Sequence, residues 1–326
     1  MPRPLTAVPA ALTLILLGCS AEPVDPNPQM VESPLAMATA FDASWSAAEN
    51  LELSVPGADE GFNTSSAEGC PFVSRDGKSF YIASNRPGTM GGQDIWVSTR
   101  ASTDEPWGEP VNVGAPVNSA ANDYCPTLDR DGHRFYFVST RVIEGVSCGA
   151  GDIYETRLLS DGTYAEPKNL GCDVNSEYDE FSPFPLPEAG LAPVLYFSSK
   201  RPGVGGMPGD IYRSESHGGV FGPAELVPGV NSDADDGMPN VRRDGLEMFF
   251  YSTRTDLANA QGGPDLYSST RASTSEDWSQ PVNLGPQVNG PGGDTRPSLS
   301  WDGRTLYFGS VRDGVEGASD IYVVHR

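Results

Sequence analysis

Five carboxylates carry the most regular chemistry in this chain. Glu68, Asp123, Glu180, Asp236 and Asp294 each lie five residues after an asparagine (Asn63, Asn118, Asn175, Asn231, Asn289) and three before a proline. Each is followed by the arginine of a Ser-x-Arg tripeptide: Arg86, Arg141, Arg201, Arg254 and Arg312. The interval from acid to arginine is identical in four copies and slightly longer in the third, from Glu180 to Arg201. A guanidinium can take a carboxylate in two parallel hydrogen bonds, so this spacing predicts five structural acid–arginine pairs. The competing chemistry is a ring of five carboxylates around a cation. Calcium needs several converging oxygens, and an arginine beside each acid opposes it; no metal and no cofactor are expected.

Other reactive residues are sparse. Cys70, Cys125, Cys148 and Cys172 follow a first cysteine, Cys19, and none forms a CxxC pair, which argues against zinc. His133, His217 and His325 occupy unrelated repeat positions, so no imidazole cluster is expected. No nucleophile elbow or phosphate loop occurs. A sialidase-type Asp-x-Gly box is missing too, because Asp76 and Gly77 are adjacent. With no catalytic residue assignable, the chain is not expected to be an enzyme. A glycan hydrolase would need a non-repeated pair of carboxylates at the centre of the fold, free of the repeat arginines.

The elements that position these residues follow from internal repetition. Asp-Ile/Leu-aromatic recurs at nearly constant intervals, at Asp94, Asp152, Asp210, Asp265 and Asp320. Four repeats contain an Asp-Gly pair between apolar runs, a strong hairpin signal because glycine accepts positive φ. Each repeat reads as strand A (acid and proline), strand B (aromatic-rich, ending in Ser-x-Arg), a Gly-rich loop, strand C (Asp-Ile-aromatic) and strand D, opened by an aromatic. Four strands in about 56 residues describe a propeller blade. Five A–B–C units are followed by only four D strands, and the pattern Trp45 to Leu51 supplies the fifth. The expectation is all-β: a five-bladed β-propeller of four-stranded blades over 45–326, closed by an N-terminal strand that completes the last blade.

These repeats resemble the TolB-type, WD-like β-propeller repeat of bacterial envelope proteins, through the Asp-Gly turn, the aromatic strand B, Ser-x-Arg and Asp-Ile-Tyr. The chain differs from TolB itself in having five blades rather than six. Upstream, Leu5 to Leu17 is an apolar run too short to span a bilayer. It ends in Leu16-Leu17-Gly18-Cys19, which resembles the lipobox of bacterial lipoproteins. That resemblance implies removal of residues 1–18 and lipidation of Cys19. Residues 19–40 then form a Pro-rich tether, and Ser20 after the cysteine implies the outer membrane.

With 44 acidic and 21 basic residues, the net charge of −23 excludes a phosphate-binding surface for nucleic acid. Both D–A and B–C loops emerge on one face. This face carries the five asparagines, the extra acids Asp179, Asp233 and Asp235, and all four downstream cysteines. An exported chain with an even count suggests disulfides: Cys148–Cys172 is favoured, and Cys70–Cys125 is possible if adjacent inner strands come within reach. The asparagines and extra acids are candidates for the binding face. The functional expectation is a monomeric, lipid-anchored envelope module that binds or scaffolds a protein or cell-wall glycan, touching the membrane only through its anchor. The alternative is a carbohydrate-active hydrolase or lyase with carboxylates at the channel.

Overall fold

A computed structural model of the chain describes residue 1 and residues 44–54, 61–187, 192–206, 209–255, 259–261 and 263–326. Cys19, the signal segment and the tether lie outside the described residues, as does the 188–190 part of the third A–B turn. Among the described residues no helix is long and apolar enough to cross a membrane.

The chain folds as a five-bladed β-propeller of antiparallel four-stranded blades. Blade one is Glu68–Val73, Ser79–Ser84, Asp94–Thr99 and Val111–Asn112. Blade two is Asp123–Leu128, Arg134–Ser139, Asp152–Arg157 and Lys168–Asn169. Blade three is Glu180–Leu186, Val194–Ser199, Asp210–His217 and Glu225–Leu226, with Val220–Phe221 extending the end of its third strand. Blade four is Asp236–Val241, Glu247–Ser252, Asp265–Thr270 and Val282–Asn283. Blade five takes Asp294–Leu299, Thr305–Ser310 and Asp320–His325 from the end of the chain and Glu49–Asn50 from its beginning. Glu49 pairs with Val323 and Asn50 with Tyr322, so the ring closes where the first and last strands meet. Closure leaves no open radial edge.

The second strands are nearly continuous apolar runs because both faces are covered by neighbouring blades: Phe80, Ile82, Leu195, Phe197, Phe249 and Phe250 are fully buried. The Asp-Gly turns adopt the backbone their sequence predicts, with Gly77, Gly132, Gly245 and Gly303 at φ 68° to 75°. The five A strands pack against one another around the axis. Each carries a bulge that the sequence pattern did not reveal. The register jumps two residues after the acid, as between Gly69 and Phe72, and the residue before the marker proline takes a positive φ. These bulge residues are Cys70, Cys125, Ser182, Met238 and Arg296, and all five line the central channel.

Candidate functional site at the channel mouth

The five acids are opposite the serine of Ser-x-Arg rather than the arginine: Glu68 pairs with Ser84, and Ser84 with Asp94. The arginine lies two residues further on and folds back. Its Nη2 meets the carboxylate in every blade, at 3.3 Å for Glu68, 2.8 Å for Asp123, 3.0 Å for Glu180, 2.5 Å for Asp236 and 2.6 Å for Asp294. The contact is one-pronged. The Nε of each arginine instead donates to the serine hydroxyl, and Nη2 also donates to the carbonyl preceding the marker asparagine, as Arg86 does to Phe62 and Arg312 to Val288. The guanidinium then stacks on the strand C aromatic, for example 4.9 Å from the Tyr212 centroid and 4.6 Å from Tyr322. Every acid is wholly buried and also accepts a backbone N–H from the residue after the asparagine. Both oxygens of each acid are thus engaged inside the blade and shielded from solvent.

The marker asparagines are turned inward. Asn118 accepts the Ile95 N–H at 2.9 Å and donates to the Ile95 carbonyl at 2.9 Å; Asn175, Asn231 and Asn289 do the same to Ile153, Ile211 and Leu266. Asn63 holds Ile321 in this way across the closing seam. Asn63, Asn118, Asn175 and Asn289 are buried and Asn231 half-buried, so they are removed from the binding face on which their loop position had placed them. The physical reason is that the second residue of strand C has a backbone N–H with no main-chain acceptor, which the amide oxygen takes, while the amide N–H adds to a carbonyl that already accepts a backbone N–H, as Ile95 does from Val113. The Gly-rich loops have an equally local cause. A Cβ on Gly91 would collide with the Ala121 carbonyl, and one on Gly317 with that of Ser66, because each B–C loop lies directly on the next blade's D–A loop.

Two disulfides are formed. Cys148–Cys172 ties the B–C loop of blade two to the segment after its D strand, and Cys70–Cys125 joins adjacent inner strands whose Cα atoms are 4.7 Å apart. The bulge brings Cys70 and Cys125 together by swinging each side chain into the channel. With Ser182 on the Cys125 sulfur at 3.4 Å, they leave a channel cavity of about 40 Å³.

What remains at the mouth, where the inner strands begin, is a set of residues that break the repeat. Asp179 and Asp235 precede the repeat acids of blades three and four, where the other blades have Ala67, Asn122 and Gly293. Asp235 accepts the Gly209 N–H at 2.8 Å and faces the hydroxyl of Tyr251; Asp179 lies beside Tyr124 and meets only the exposed Lys200, at 3.3 Å. Asp233 is exposed on the same loop as Asp235. Burial pushes the Tyr124 phenol up to about 12, aided by the Asp179 charge and opposed by Arg296. Burial likewise raises Tyr251, with Asp235 adding to it and Arg296 opposing it. The charges of Asp179 and Arg296 thus act on Tyr124 in opposite senses, and those of Asp235 and Arg296 on Tyr251. Sequence reasoning had singled out the acids but not Tyr124, Tyr251 or Arg296. The available signal was that 296 is the one charged residue among five equivalent positions.

No protein-family model matches the chain, and no curated protein matches it. Its fold is shared with solved five-bladed structures. A thermostable family-43 glycoside hydrolase is 13% identical, with 83% of this chain and 90% of that one covered at a TM-score of 0.54. The α-L-arabinofuranosidase from Lactobacillus brevis is 13% identical over 83% and 94%, at 0.54. A GH62 hydrolase in complex with xylotriose is 9% identical over 87% and 97%, at 0.53. A TolB from Agrobacterium tumefaciens is also similar, 16% identical over 83% and 79%, at 0.47. At these identities the likeness is one of fold. It nevertheless corrects the preference for a binding or scaffolding module, because the neighbours with TM-scores above 0.5 named here are glycoside hydrolases and none is a scaffold.

Proposed function

We propose that this chain is a carbohydrate-active hydrolase that works at the mouth of the propeller channel, with Asp179 and Asp235 as its two carboxyl groups. The observation that supports this is the non-repeated acid pair on adjacent blades, held beside Tyr124 and Tyr251 while all five repeat acids are consumed by their arginines. Glycoside hydrolysis needs one carboxyl to protonate the departing oxygen and a second to activate water or attack the anomeric carbon. An acid pair on a rigid ring, next to phenols able to donate to sugar hydroxyls, supplies those groups. The glycoside hydrolases that share the fold add support at the level of architecture.

The lipobox-like Leu16 to Cys19 and the Pro-rich tether support an exported, lipid-anchored, TolB-like propeller, so the proposed substrate is an envelope or cell-wall glycan met outside the inner membrane. The test is reducing-end release from a panel of cell-wall and plant-type glycans by the chain beginning at residue 41. Asp179→Asn and Asp235→Asn should each lower turnover by about 10² or more while leaving the melting curve in place. Turnover retained in the double variant, or no release from any glycan, would remove the proposal.

A further inference from the structure

Arg296 is the unusual residue of the channel. The four positions equivalent to it are Cys70, Cys125, Ser182 and Met238, none of them charged. Among the described residues its guanidinium makes no ion pair and no hydrogen bond, and its Nε is buried with no partner. Every repeat arginine, by contrast, is hydrogen-bonded through Nε and ion-paired through Nη2. The side chain crosses the seam from blade five to blade one and rests on Gly69, where a Cβ would stand 2.7 Å from Nη1. Burial weakens its hold on its proton, and the phenols of Tyr124 and Tyr251 offset this only in part. Arg296 is half-buried, and a buried guanidinium N–H without an acceptor is costly. The fold therefore presents a planar donor fork in the channel that no acceptor among the described residues takes.

We infer that Arg296 receives the carboxylate of an acidic sugar, so that the glycans recognised at the channel mouth are those containing uronic acids. A carboxylate matches the guanidinium fork in two parallel hydrogen bonds, and the phenols of Tyr124 and Tyr251, which sense the charge of Arg296, can donate to sugar hydroxyls. The charges of Asp179 and Asp235, which act on the same phenols, favour a single negative charge over a dianion such as inorganic phosphate or sulfate. The inference rests on the proposed glycan site but concerns recognition, so it can be read without turnover.

The experiment is calorimetric titration of the propeller with trigalacturonate, a glucuronate disaccharide and the methyl ester of trigalacturonate, which keeps the skeleton and removes the charge. At least one acid probe should bind the wild type at least tenfold more tightly than the ester binds. Arg296→Gln should erase that preference. Arg296→Lys, which keeps the charge but loses the fork, should retain part of it and guards against a folding defect in the first variant. Gly69→Ala, which pushes against Nη1, should weaken the acid probe more than the ester. Equal affinity for acid and ester, no binding of either acid probe, an unaltered preference in Arg296→Gln, or competition by inorganic sulfate as strong as by the uronates would overturn the inference. Arginine-dependent binding without cleavage would stand against the hydrolase alone, and cleavage of neutral glycans with no acid preference would stand against this assignment alone.

Discussion

Replacing Leu226 by asparagine should stabilise the protein above pH 6 and do little at pH 4. In blades one, two, four and five the D strand places an asparagine against the strand C aspartate: Asn112 on Asp94 at 2.7 Å, Asn169 on Asp152 at 2.8 Å, Asn283 on Asp265 at 2.9 Å and Asn50 on Asp320 at 3.2 Å. Blade three has Leu226 at that register, opposite Tyr212 as Asn112 is opposite Trp96. Asp210 is left with the Val204 N–H at 2.8 Å as the one donor to Oδ2, the oxygen the amide also reaches in the other blades; its Oδ1 has no partner, as in Asp265 and Asp320. Burial raises its carboxyl to about 6, only partly offset by that N–H, and the negative charges of Asp236 and Asp235 add to the rise. Asp265 is also raised by burial, but there the Gln261 N–H and the Asn283 amide both pull back.

The sign follows from linkage. A carboxyl whose folded value lies above its unfolded value of 3.8 costs nothing below pH 4, where both states are protonated. It destabilises increasingly through pH 4 to 6, and fully above that. A rise from 3.8 to about 6 corresponds to about 3 kcal/mol at 1.36 kcal/mol per unit. Water at the surface loop that Asp210 caps reduces this to roughly 1–2 kcal/mol. Leu226→Asn should recover most of it above pH 6, less a constant loss from the half-exposed leucine. Urea unfolding of both proteins at pH 4, 5, 6 and 7 measures the difference, in which the other acids cancel. A difference that does not change with pH, or that favours the wild type more as pH rises, would refute the reasoning.

Arg254→Ala should destabilise by about 3 kcal/mol, because it strands the wholly buried Asp236 and the Val230 carbonyl at once; thermal unfolding reads this, and an unchanged midpoint would mean the pair is solvent-screened. Gly317→Ala should cost roughly 2–3 kcal/mol, since the new Cβ drives the last B–C loop off the Ser66 carbonyl at the closing seam; a wild-type urea midpoint would show that the seam is loose.

The architecture was legible because it is repeated. Asp-Gly turns, Ser-x-Arg and Asp-Ile-aromatic impose the same local choice in each blade, and Trp45 to Leu51 announced the strand that closes the ring. The acid–arginine partnership was legible in its constant interval, although its geometry was not: only register shows that the serine stands opposite the acid and that the arginine must fold back. The asparagines misled because sequence position locates a residue on a loop but not the direction of its side chain. The otherwise unpaired backbone N–H at the start of strand C drew them inward.

By itself, the sequence determined the blade count, the strand order and the residues that lock each blade, since these depend on turns and periodicity that act within a single repeat. Tertiary structure decided what the centre presents. The bulge before each marker proline rotates one residue per blade into the channel. It unites Cys70 with Cys125 and leaves Arg296 facing two tyrosines from other blades. Tyr124, Tyr251, Asp179, Asp235 and Arg296 come from four blades and are widely separated along the chain. Only ring closure, a long-range event driven by burial of the blade faces, brings them together.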